Sequence, residues 1–334
     1  MIVRNRSRPP AVSVITPFYN RAGCFADIAE TLHAQSFQDF ELVIVDDGSD
    51  DDLRLEIEKV EAKFPIRLVR LDRNKGAASA RNVGIDNSSG TYVAFLDSDD
   101  AWMPEKLLAQ FHQLENASDR SSLVSLTRHL VVGARTYEAP RRLLNRLDPI
   151  GEYLFQRDGI IQSSMMFMTT DLAKSARFED GGRGHDDWSF ALRLERMGAR
   201  FEMLPAALTI YNNADGRVRR SPAYSQARFD WLERWRGHLG EGPYLAARAA
   251  FASNMSRGPS RRALHAIGSA LYHRAIPPWR AAYYAATVAF PSVRKWAVLV
   301  KEFRWRRRSA TAPSDNHVEL GKSAKGSPGR RLFC

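Results

Sequence analysis

Three carboxylates stand within four positions at Asp97-Ser98-Asp99-Asp100, directly behind the apolar run Tyr92-Val93-Ala94-Phe95-Leu96. At about 4 Å and a surface-like dielectric, two such charges repel by about 4 kcal/mol. A fold tolerates that when a cation neutralises them. Hard oxygen ligands suit Mg²⁺ or Mn²⁺, and Mg²⁺ takes one or two carboxylates together with substrate phosphates. An acidic turn capping a helix near Pro104 accounts for the same residues, so the stretch alone leaves both readings open. A second acidic pair, Asp186-Asp187, follows a loop with three glycines, residues 178–185. Carboxylates in the first turn of a helix are stabilised by its dipole, so this pair has a structural explanation beside a chemical one.

The elements that must position these acids follow from hydrophobic patterning. Residues 11–16, 40–46, 66–71 and 92–96 read as strands. Residues 22–35, 51–63 and 77–87 read as helices, the second with Leu53, Ile57 and Val60 on one face. Near-continuous apolar strands alternating with helices predict an α/β fold with a mostly parallel sheet and helices on both faces. The four strands end in Thr16-Pro17-Phe18-Tyr19-Asn20, Asp46-Asp47-Gly48-Ser49, Asp72-Arg73-Asn74-Lys75-Gly76 and Asp97-Ser98-Asp99-Asp100. Open α/β sheets bind ligands at these carboxyl ends, and polar or acidic residues recur at all four. The turn Pro17–Gly23 lacks the glycine spacing that cradles a pyrophosphate, and no G-x-x-x-x-G-K-[ST] occurs. A dinucleotide dehydrogenase or P-loop enzyme is therefore disfavoured. Farther on, 121–132 and 162–169 read as strands, Asp171 as a helix cap, and Asp186 as the start of a helix. The basic connector 135–151 has no readable pattern.

At 334 residues the chain holds one large domain or a main domain with an appendage, and 44% hydrophobic content is ordinary for a globular protein. Cys24 and Cys334 supply neither a disulfide framework nor a metal cluster, which fits a reducing compartment. The basic start, residues 1–10, has no apolar core behind it, and no signal peptide or spanning helix is expected. Charge is asymmetric: residues 1–215 carry 26 Lys+Arg and 32 Asp+Glu, whereas 216–334 carry 23 and 6. Four segments follow: a basic extension 1–10, a main domain 11–215, a basic helical region 216–310 with breaks at Gly258-Pro259-Ser260 and Ile276-Pro277-Pro278, and a polar tail 311–334 expected to be disordered.

Six motifs then occur in one order: Val12-Ser-Val-Ile-Thr-Pro-Phe-Tyr-Asn20, Val45-Asp-Asp-Gly-Ser49, Asn74-Lys-Gly-Ala77, Ala80-Arg-Asn-Val-Gly84, Phe95–Asp100, and His185-Asp-Asp-Trp188 with Leu192-Arg-Leu194. In this the chain resembles family 2 glycosyltransferases of the GT-A fold, over about residues 11–212. The resemblance implies a nucleotide-diphosphate sugar donor, with a UDP-sugar first among the candidates, a Mn²⁺ or Mg²⁺ ion, and inversion at the anomeric carbon. It implies that Thr16, Pro17 and Tyr19 line the base pocket, that Asp46 and Asp47 bond the base or ribose, and that Lys75 and Arg81 sit near the phosphates. Asp97-Ser98-Asp99 takes the family's D-x-D position, with Asp99, Asp97 and Asp100 as candidate metal ligands. Asp187 matches the general base, and Asp186 stands where Glu is usual. The last strand leads into Tyr211-Asn212-Asn213, where the family often carries a His. Trp188 and Trp102 offer either flat faces for a sugar ring or ordinary packing.

The run Trp296–Arg308 interleaves aromatics with arginines, a pattern suited to an anionic membrane surface; nucleic acid is disfavoured, since no recognised module frames it. The expectation is a cytoplasmic enzyme, peripheral on the inner membrane face, that builds envelope or exopolysaccharide or glycolipid from a glycan or lipid-linked acceptor. The alternative is a non-catalytic nucleotide-sugar fold acting as a membrane or partner adaptor.

Overall fold

The computed structural model describes residues 8–133, 136–180, 185–212, 222–256 and 258–290. Strands β1 (Val12–Phe18) and β2 (Phe40–Asp46) are buried along their whole length, as strands covered on both faces must be. β1 pairs parallel with β2 and with β4 (Tyr92–Phe95), and β2 pairs parallel with β3 (Ile66–Arg70). The carboxyl ends of four strands therefore lie along one edge in the order β3-β2-β1-β4. The sheet continues through β8 (Phe167–Thr169), β6 (Leu123–Val132), β9 (Arg200–Asn212) and β5 (Ala101–Trp102), with β7 (Tyr137–Ala139) paired to β6. β8 runs antiparallel to both β4 and β6, and β9 parallel to β6, so the far half is mixed.

On one face, α1 (Phe25–His33), α2 (Leu53–Glu58) and α4 (Lys106–Glu115) bury Phe25, Leu32, Leu53 and Leu107 against Val12, Val14, Leu42 and Ile44. The alternate residues serve the other face, with α3 (Ala77–Asp86), α6 (Thr170–Ala176) and α7 (Asp186–Arg196). There Phe95 meets Phe178 and Phe190 edge-on, the arrangement aromatic quadrupoles prefer. α3 comes close enough to β1 that a Cβ on Gly84 would stand 2.3 Å from Ile15 Cγ2.

The structure refines several sequence expectations. α2 starts where the Asp52 carboxylate accepts from Leu55 N and ends by Glu58, five residues short of the expected Lys63. Thr169, not Asp171, caps α6, because its hydroxyl accepts from Leu172 N. Ser163–Met165 is a 3-10 turn that leaves only a short β8, since its serine hydroxyls turn toward site carboxylates. The connector contains β7 and α5 (Ile150–Phe155).

Contacts divide the described chain into two compact units, residues 8–243 and 244–290. The first includes α8 (Pro222–Leu239), which composition groups with the basic region but which packs on α7. Gly240, at φ +75, ends α8 before α9 (Glu241–Met255). In the second unit α10 (Arg261–Tyr272), capped by Ser260, and α11 (Pro278–Ala289) pack on each other, the chain breaking at 258–260 and 276–278 as expected. Among the described residues no helix is long and apolar enough to cross a membrane. The run 296–308 and the tail 311–334 lie outside the described residues.

Gly84→Ala is expected to destabilise the protein by about 1–3 kcal/mol, the usual cost of overpacking, read as a lower urea midpoint with an unchanged m-value.

Candidate active site

The parallel edge delivers the motif residues as one array. Behind it the loops are locked by their own acids. Asp46, 1% exposed, accepts from Ser49 N at 2.9 Å and pairs with Arg70 at 3.0 Å. Asp47, also buried, accepts from Lys75 N at 2.7 Å and from Gly76 N at 2.8 Å, so it ties the loop after β2 to the loop after β3. Gly48 lies between them at φ +72, where a Cβ would stand 2.6 Å from the Arg73 backbone; only glycine meets both demands. Thr16 and Pro17 are buried in β1, Thr16 Oγ1 without a hydrogen-bond partner, while Tyr19 and Lys75 are exposed.

Ahead of β4 the charges converge. The Arg81 guanidinium, carried inward by α3 and 5% exposed, meets Asp97 at 2.5 Å. Burial works against its charge, but Asp97, Asp187 and Asp186 outweigh that, and the pKa of Arg81 is raised. Ser163 Oγ lies 3.2 and 3.3 Å from the two Asp97 oxygens and also hydrogen-bonds Asp187. Ser164 Oγ accepts from Asp97 N at 3.1 Å and also bonds the Asp100 carboxyl. Asp99 pairs with Arg21 at 2.6 Å.

Asp187 sits at the start of α7 with its Oδ1 sealed from solvent and without a hydrogen-bond partner. Burial pushes its carboxyl up to about 6; Arg81 opposes this, and Asp97 and Asp186 add to it. Burial, then the charge of Asp97, holds Asp100 well above the ordinary carboxylate range. Thus Arg81, Asp97 and Asp187 share one locus, with Asp99 at its rim and Asp100 behind it. Tyr211, at the end of β9, has its hydroxyl pKa raised by burial and by Asp100 and Asp99, so that strand reaches the same locus.

Both tryptophans pack. Trp102 is 3% exposed with Lys106 Nζ 4.0 Å over its ring, and Trp188 stacks on His185 at 4.1 Å with Phe155 at its edge. Sequence reasoning passed over Ser163, Ser164 and Arg21. The signal for the serines was available: two hydroxyls inside the apolar run Ile160–Met168 must find partners once buried.

Among the described residues, no three His, Cys, Asp or Glu side chains gather into a cation cage. What is present suits a hard dication held by one or two carboxylates plus phosphates: oxygen donors only, Asp99 half-exposed at 47% and Asp97 at 27%.

The Asp187 carboxyl, raised in the folded protein, favours folding below its unfolded pKa near 4 and loses that contribution as pH rises through about 6. In chelator-treated protein, Asp187→Asn is therefore expected to be more stable than the parent at pH 7.5 by about 1–2 kcal/mol, discounted for partial exposure. The advantage should shrink toward pH 4, as followed by thermal melts across pH.

Comparison with known proteins shows the family and the fold. The Glycosyl transferase family 2 model matches residues 13–172. The amylovoran biosynthesis glycosyltransferase AmsB of Erwinia amylovora is 30% identical over 236 residues, 68% of this chain and 78% of that protein. The putative teichuronic acid biosynthesis glycosyltransferase TuaG of Bacillus subtilis is 43% identical over 121 residues, 35% of this chain and 46% of that protein. Among solved structures, Staphylococcus aureus TarS 1-349 in complex with UDP-GlcNAc aligns with a TM-score of 0.56 at 21% identity, covering 85% of each chain. The mannosyltransferase PcManGT of Pyrobaculum calidifontis, in complex with GDP-Man and Mn²⁺, aligns with a TM-score of 0.56 at 18% identity, covering 87% of this chain and 84% of that one. The architecture is the GT-A fold, and the chain belongs to glycosyl transferase family 2, with relatives in polysaccharide biosynthesis.

Proposed function

We propose that this protein is an inverting, metal-dependent glycosyltransferase that moves a sugar from a nucleoside-diphosphate donor to an acceptor hydroxyl in envelope polysaccharide, exopolysaccharide or glycolipid synthesis. One observation carries the reading: Asp187 holds a proton-accepting carboxylate with an unpartnered oxygen beside Asp97, at the carboxyl edge of the parallel strands. A base with a pKa near the working pH is matched to deprotonating a hydroxyl as it attacks. The neighbouring protein structures described with UDP-GlcNAc and with GDP-Man and Mn²⁺ support the donor class by analogy, and a UDP-sugar heads the candidates.

Each residue has a role in this reading. Thr16, Pro17 and Tyr19 border the base, while Asp46 and Asp47, whose oxygens are taken up by Ser49 N, Arg70, Lys75 N and Gly76 N, act by holding the two loops that frame it. Lys75 and Arg81 bring positive charge toward the diphosphate. Asp99 and Asp97 would hold Mn²⁺ or Mg²⁺, which when bound supplies Lewis-acid stabilisation of the leaving diphosphate. Asp100, buried and disposed to keep its proton, backs that pair and ligates only if it loses the proton. Asp186 shapes the field around Arg81, and Trp188 supports α7.

The same reading puts its work at the inner face of the cytoplasmic membrane, on a lipid-linked or glycan acceptor. Residues 242–301 contain no Asp or Glu, and Tyr272 and Trp279, at the corner between α10 and α11, are 83% and 53% exposed. Aromatic and basic residues without acids suit an anionic headgroup layer. Sedimentation with vesicles is expected with phosphatidylglycerol present, to weaken with salt, and to fail on phosphatidylcholine alone.

A panel of nucleotide sugars with Mn²⁺ is expected to yield turnover with one donor. Chelator, Asp99→Ala and Asp187→Asn should each cut the rate by about 10²-fold or more. Metal-dependent nucleotide binding should survive Asp187→Asn but weaken in Asp99→Ala. A protein that binds no nucleoside diphosphate with any metal would instead be an adaptor.

A further inference from the structure

The residue that introduces α7 is strained. His185 has φ +65 and ψ +25, the left-handed conformation, which residues other than glycine adopt at a cost, even though His, Asn and Asp are found there more often than the rest. It lies two positions before Asp187, and its own side chain makes no capping bond to α7. Strain of this kind persists where surrounding contacts impose it.

Those contacts come from α8. Arg228 Nε donates to His185 Nε2 at 3.0 Å. The Trp231 ring lies 5.2 Å from His185 and 5.7 Å from Trp188, and its indole N–H donates to Ser189 Oγ at 2.7 Å. Trp231 is 1% exposed. His238 adds a 2.9 Å contact to Glu195, and Arg234 pairs with Glu179. Burial and the Arg228 charge keep His185 neutral, its pKa lowered to about 3, so its ring nitrogen is free of a proton and accepts. The residues flanking Asp187 on both sides, His185 and then Trp188 and Ser189, are thus fixed by a helix beyond the stretch matched by the family model.

We propose that α8 is a positioning clamp for the catalytic carboxylate: Arg228 and Trp231 hold the left-handed His185 turn and thereby set where Asp187 stands relative to Ser163 and Asp97. The clamp rests on the reading of Asp187 as general base. Its contacts run to the residues on either side of Asp187, so the clamp acts on the chemical step and not on donor binding.

The test uses the full chain and the donor found in the panel. Arg228→Ala and Trp231→Phe, which removes the indole N–H and keeps an aromatic ring, are each expected to lower kcat about tenfold with KM and UDP–Mn²⁺ affinity changed less than about twofold. Arg228→Lys, which keeps a donor, should recover part of the rate. Adding His185→Gly to Arg228→Ala should do the same, since glycine takes the left-handed turn without strain. A crystal structure of Arg228→Ala should show the 185–187 turn displaced. Unchanged kcat in both variants, an equal loss of nucleotide binding and kcat, or an unmoved turn would each overturn the clamp. If Asp187→Asn keeps full turnover, the base assignment fails; if it abolishes turnover while both clamp variants stay silent, only the clamp fails.

Discussion

One buried guanidinium decides what this structure can be. Arg81 lies within reach of Asp97, Asp186 and Asp187, and a buried charge of either sign needs its partners to be tolerated at all. The acids outnumber it, and burial together with their mutual repulsion raises the carboxyls it does not compensate, Asp187 to about 6 and Asp100 well above the ordinary carboxylate range. The outer pair differs in kind. The Arg21 side chain is 32% exposed where that of Arg81 is 6%, so parting Arg21 from Asp99 returns it to water at little cost. Parting Arg81 from Asp97 leaves charge stranded in the interior. The Asp99 side is therefore exchangeable and the Arg81 side permanent.

Permanence also needs a scaffold that does not give. Asp47 spends both oxygens on backbone N–H groups of the next loop. Gly48 allows the two loops to touch and Gly84 lets α3 lie against β1, which is what carries Arg81 inward. Preformed loops spare the protein the ordering cost that binding would otherwise incur. The strand order puts β1 between β2 and β4, so a ligand spanning these loops crosses the middle of the edge.

Much of this was legible in the sequence. Leu42-Val43-Ile44-Val45 and Tyr92–Phe95 are apolar on both faces, which only a covered strand explains, and acids at the end of each such run mark the ligand edge. The Ser163-Ser164 turn was hidden because the surrounding apolar run reads as strand, and the reason for breaking it lies 66 residues away at Asp97. Composition also grouped α8 with the basic helices after it. Charge reports which surface meets water; it does not report that Trp231 is sealed against α7.

The choice between enzyme and adaptor turns on cost. An adaptor built on this fold has no use for an unpartnered carboxylate oxygen at Asp187, a buried Asp100 carboxyl beside Asp97 or a left-handed His185. Each lowers stability, and simple substitutions relieve each: Asn for Asp, Gly for His. Three such costs in the two segments that carry the acidic motifs are what a site keeps when its function depends on the strain and the charge. Scattered over the surface, the same three would be unremarked noise. Concentrated at the carboxyl edge of a GT-A sheet, beside the loops that would hold a nucleotide, they favour catalysis.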